Sequence, residues 1–78
     1  MGKFAKLIDL ENEEQVLLTV DWNDDDEKYE LNMQTEFKEC MASIKLGFEE
    51  AEDAMSAMEN YKEKNAIEFR ANMAKIFE

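Results

Sequence analysis

The sequence contains no proline and no histidine, and it has only two glycines, one cysteine and one arginine. Without histidine, no side chain has an ordinary titration point near neutrality, and neither a serine nor a cysteine nucleophile has its usual activating base. A zinc site of mixed His and Cys ligands is excluded on the same ground. The single Cys40 closes no disulfide within the chain, and one arginine with no glycine-rich loop argues against phosphate binding. No apolar run approaches the roughly 18 residues of a membrane span. These absences predict a cytoplasmic protein with no catalytic residues, no metal and no cofactor, and with no membrane partner.

What the chain does contain is carboxylate. Among 78 residues, 20 Asp and Glu stand against 9 Lys and Arg, for a formal charge of −11. The corresponding pI is about 4.3. Such a chain repels nucleic acid at long range, so no direct nucleic-acid partner is expected. A hydrophobic share of 45% still lies in the range of globular proteins. No linker or repeat divides the chain, and residues 1–78 read as one compact domain. A chain of this size buries only about 60% of its unfolded surface, which keeps association with a second copy in view.

Periodicity supplies the fold. Tyr29, Leu31, Met33, Thr35 and Phe37 alternate with polar residues, and after Lys38-Glu39 the alternation resumes as Cys40, Ala42, Ile44, Leu46 and Phe48. A two-residue turn sets these opposite one another in pairs, Phe37 with Cys40 through Tyr29 with Phe48, all on one face. Lys-Glu is poor chemistry for such a turn, so a longer bulged loop is the alternative. Upstream, Val16, Leu18, Val20 and Trp22 form another apolar stripe, joined to Tyr29 by an acidic loop over Asn23 to Lys28. Pairing Val20 with Leu31 and Leu18 with Met33 keeps apolar partners together. The segment Phe4 to Leu10 is less regular, because Lys6 shares a face with Phe4, Ile8 and Leu10, and it is expected at the sheet edge.

From Glu49 the period becomes helical, with Ala51, Ala54, Met55, Met58 and Tyr61 on one stripe. Asn65, three residues before Glu68, resembles the start of a capping box and opens a second helix with the stripe Ala66, Phe69, Met73, Ile76 and Phe77. The expected architecture is α+β, a four-stranded antiparallel meander followed by two helices packed on one face of the sheet.

Within that frame few residues invite a functional reading. Asp21, Asn23 and Asp25 have the offsets that open a calcium loop, but Asp26 replaces the turn glycine and Asn32 the closing bidentate glutamate. Cys40 alternates with the apolar stripe and is expected to be a small buried hydrophobe. The acidic loops are the strongest feature: Glu11, Glu13 and Glu14 on one, Asp24, Asp25, Asp26 and Glu27 on the other. They suit a basic surface on a protein partner, with carboxylates imitating the phosphates of a nucleic acid, as in a small inhibitor of the phage or mobile-element type. Solubility alone is the competing explanation of the charge. Leu7, Leu17 and Met41 are expected on the uncovered sheet face, with Ile67 off the main stripe of the second helix. They are the candidate apolar interface. The leading expectation is therefore a non-enzymatic interaction protein; the alternative is a structural homo-oligomer or homodimer joined through the uncovered face.

Overall fold

The computed structural model describes residues 5–77. Strands β1 (Ala5–Asp9), β2 (Gln15–Asn23), β3 (Lys28–Glu36) and β4 (Met41–Phe48) form one antiparallel sheet in the order β1-β2-β3-β4. Helices α1 (Ala51–Asn60) and α2 (Glu63–Ala74) follow and cover one face, as periodicity indicates. Leu31 pairs with Leu46, Met33 with Ile44 and Tyr29 with Phe48, while Leu18 faces Met33 and Val20 faces Leu31. The expected register therefore holds throughout both central hairpins. Of the first strand, Phe4 lies outside the described residues and Leu10 follows the strand's end.

Ile8, Val16, Leu18, Val20, Leu31 and Met33 form the sheet side of the core. Ala54 and Met58 from α1, with Ala66 and Phe69 from α2, close it from above. The two-residue turn also holds: the Phe37 N–H donates to the Cys40 carbonyl at 2.7 Å, and neither Lys38 nor Glu39 has a positive φ.

Five local expectations need correction. Cys40 is exposed, where the alternation that places it on the inner face runs into the β3–β4 turn. The acidic loop has four residues, not six, since Asn23 and Lys28 pair with each other. Helix α2 begins at Glu63, with Asn65 in its first turn, where its Oδ1 accepts from the Lys62 N–H at 2.9 Å. The same side chain thus ties the helix start, but from the third helical position. Ile76 and Phe77 lie in a terminal 3₁₀ turn (Lys75–Phe77) and are exposed. Trp22 and Leu46 also remain about half exposed, at 49% and 44%, although they point to the helix-covered side.

The irregular Lys6 has a specific role. Its Nζ donates to the carbonyls of Met58 at 3.3 Å, Glu59 at 3.2 Å and Tyr61 at 2.7 Å. Helix α1 has no basic residue in its last turn, so β1 supplies the positive charge that the negative end of the helix favours. Removing the ammonium while keeping its apolar stem, as in Lys6→Met, is expected to lower stability by about 1–2 kcal/mol in urea unfolding, with the slope unchanged.

Candidate interaction surface

Strands β2 and β3 are joined by the acidic turn Asp24–Glu27. Asn23 organises it. Its Oδ1 accepts from the N–H groups of Asp25 at 2.9 Å and Asp26 at 3.3 Å, the side-chain arrangement that mimics a backbone turn. Its Nδ2 donates to Glu30 Oε2 at 2.9 Å and to Asp26 Oδ2 at 3.4 Å. Trp22 Nε1 donates to Asp24 Oδ1. The loop conformation is thereby tied to the strand ends by side chains as well as by the ladder. Asp24, Asp25, Asp26 and Glu27 are all exposed. Among the described residues none of the four has a Lys or Arg ammonium or guanidinium within ion-pair distance; Lys28 turns instead to Glu49 at 3.3 Å.

The Trp22 ring leans on Tyr29, its cross-strand partner, with centroids 4.7 Å apart and planes tilted by 58°. An exposed tryptophan thus stands immediately beside four unneutralised carboxylates. Sequence alternation put Trp22 on the inward stripe and therefore in the core. No local signal marks the exception, because alternation assigns a face and is silent on how far the helices cover it.

Glu27 completes the turn with φ 52°, the left-handed region that a side chain disfavours. Glu27→Gly is expected to raise stability by about 0.5–1 kcal/mol, seen as a higher melting temperature. If the turn keeps its shape, this single loss of charge weakens binding at the tip only modestly.

The second acidic group lies at the opposite end. Glu11, Asn12 and Glu13 make a 3₁₀ turn between β1 and β2, with Asn12 and Glu13 at φ 64° and 62°. Glu11 and Glu13 are exposed, whereas Glu14 is engaged by Arg70 Nη2 at 3.1 Å. The whole of β2 separates Glu14 from the Asp24–Glu27 tip, so the two acidic loops do not form one patch.

Leu7, Leu17 and Met41 do come together. Leu7 and Leu17 are register partners, and with Met41 they line a shallow concavity of about 280 Å³ on the open sheet face, beside Gln15, Gln34 and Glu13. Ile67 stands apart, on α2, in a different depression with Leu10, Phe37 and Arg70. Among the described residues, no three His, Cys, Asp or Glu side chains are arranged to hold a metal ion, and no helix is long and apolar enough to cross a membrane.

Compared with protein-family models, curated proteins and solved structures, the chain matches none of them. Its functional reading therefore rests on its own residues.

Proposed function

We propose that the chain is a small non-enzymatic binding protein whose Asp24–Glu27 tip, with Trp22 at its side, engages a basic surface on a protein partner. The observation that carries this reading is the tip itself, four exposed carboxylates with no Lys or Arg ion-paired to them among the described residues, held by Asn23 beside a half-exposed tryptophan. A partner's lysines and arginines would neutralise the carboxylates, while Trp22 supplies apolar area and a face for a guanidinium. This chemistry suits occupation of a nucleic-acid-binding groove by a phosphate mimic, as an inhibitor of the phage or mobile-element type would achieve in the cytoplasm. The Glu11–Glu14 end is too distant to share one small contact, and is proposed as a second, weaker point of attraction.

Capture from a lysate of the native host, by the immobilised chain and by the triple variant Asp24→Asn, Asp25→Asn, Asp26→Asn, tests the reading. The native chain is expected to hold basic proteins that elute with rising salt. The variant is expected to lose at least about tenfold in affinity and to show a flatter salt dependence, with its fold intact. Equal capture by both chains would refute charge recognition. A second reading, self-association through the open face, is supported by the meeting of Leu7, Leu17 and Met41 in one concavity.

A further inference from the structure

Strand β4 ends the sheet, and the hydrogen-bond pattern defines which of its main-chain groups are left over. The Phe37 N–H to Cys40 carbonyl bond makes that pair a hydrogen-bonded one. Alternation along an antiparallel ladder then makes Thr35↔Ala42, Met33↔Ile44, Leu31↔Leu46 and Tyr29↔Phe48 hydrogen-bonded too. The same parity follows from the far side of the sheet. There the Leu10 N–H donates to the Glu14 carbonyl at 2.7 Å, which assigns even residues of β2 to β1, odd residues of β2 to β3, and odd residues of β3 to β4. The N–H and C=O groups of Met41, Ser43, Lys45 and Gly47 consequently point outward along the edge.

Three features of this edge bear on pairing. It is eight residues long and carries no proline. In a chain of charge −11 it contains no Asp or Glu, and Lys45 is its one charged residue. Within it Leu46 is 44% exposed on the helix-covered side. A long edge with so little charge is a template for another strand.

We propose that β4 is the joint between two copies of this chain, paired antiparallel about a two-fold axis through Ile44 to give a continuous eight-stranded sheet. Directly opposed residues must share a face, so the axis passes through a residue rather than between two. Centred on Ile44, the outward groups of Ser43 meet those of Lys45 in the second copy, and those of Met41 meet Gly47, for about eight main-chain hydrogen bonds in all. Ile44 then packs on its own counterpart, and Leu46 is covered beside Ala42 of the second copy. Centring on Lys45 would set two ammoniums opposite each other, which is destabilising. Centring on Ser43 would shorten the overlap. The absence of carboxylates makes β4 the strand where two strongly acidic copies meet with least repulsion. Their remaining net repulsion is screened by salt, so this dimer tightens as ionic strength rises. That is opposite in sign to capture of a basic partner by the Asp24–Glu27 tip, and the two readings fail independently.

Sedimentation of the full chain at about 0.05 and about 0.5 M NaCl, up to about 1 mM protein, provides the test. The native chain is expected to dimerise, more tightly at the higher salt. Ser43→Pro removes an outward donor without touching the ladder to β3, and Leu46→Lys removes the apolar contact beside the axis. Each is expected to weaken dimerisation by about tenfold or more with an unchanged circular dichroism spectrum. Leu17→Glu, on the open face, is expected to leave the dimer intact. If Ser43→Pro does not fold, Leu46→Lys decides alone. A monomer under all these conditions, a dimer indifferent to Leu46→Lys, or one dispersed by Leu17→Glu would overturn the proposal.

Discussion

Arg70→Ala is expected to destabilise the fold by about 2–4 kcal/mol, a large share of the roughly 4–12 kcal/mol available to a domain of this size. The reason lies where the β2–β3 ladder ends. Pairing between these strands stops at Val16↔Thr35, and one rung further the carbonyls of Gln15 and Glu36 take other donors. The buried Thr35 hydroxyl donates to the Gln15 carbonyl at 2.8 Å and accepts from Arg70 Nη1, which also donates to the Glu36 carbonyl at 2.9 Å. The guanidinium lies over the Phe37 ring, 4.5 Å from its centroid, and its Nη2 meets Glu14. One side chain from α2 therefore ties the helix layer to Thr35 and Glu36 of β3, to Phe37 just after it and to Glu14 just before β2. Truncation leaves Glu36 without its Arg70 donor and removes a cation–π contact. Arg70→Lys is expected to restore less than half the loss, because a single ammonium lacks the planar fork that reaches Thr35, Glu36 and Glu14 together. Glu14→Gln, by contrast, is expected to cost less than about 1 kcal/mol, since that carboxylate is substantially exposed and the pair is screened. Chemical unfolding of the three variants checks this ordering. A cost for Arg70→Ala equal to that for Glu14→Gln would mean that only the ion pair matters.

Leu18→Ala is expected to have an effect at least as large, about 2–5 kcal/mol. Leu18 has no exposed surface and sits at the centre of the sheet between Lys6 and Met33, under the helices. With Val16, Leu31 and Met58 also essentially sealed, little can move to fill the vacated space, so the cavity penalty adds to the lost transfer energy. A fall in melting temperature of more than about 10 °C is expected. Leu17→Ala, one residue away but on the open face, is expected to change stability by less than about 1 kcal/mol. Comparable losses from the two substitutions would contradict the assignment of the helix-covered face.

The contrast between Leu17 and Leu18 shows what alternation can and cannot convey. A period of two assigns a side chain to a face, and the apolar cross-strand pairs then select one register, because a slip of one residue would turn each stripe to the other side. That is why the pairing from Val20↔Leu31 to Tyr29↔Phe48 is legible in the sequence. Alternation carries no information about what lies over that face. Trp22, Leu46 and Cys40 belong to the inward stripes yet are exposed. Lys6 reads as a defect in a strand pattern because the group that satisfies it, the end of α1, is more than fifty residues away in the chain. Arg70 likewise gives no local sign of its role, since Glu14, Thr35, Glu36 and Phe37 are all distant from it in sequence. The acidic loops were legible as loops, but their separation to opposite ends follows only from the meander, in which successive turns alternate ends.

The most direct test of the proposed tip contact uses the fact that Trp22 is the sole tryptophan. Incorporation of 5-fluorotryptophan places one fluorine signal beside Asp24–Glu27, free of any contribution from a partner. Titration with a basic protein captured from the host is expected to shift and broaden that signal to saturation, and added salt is expected to reverse the change. A fluorine resonance that stays unmoved while the partner is fully bound would contradict recognition through this end of the sheet.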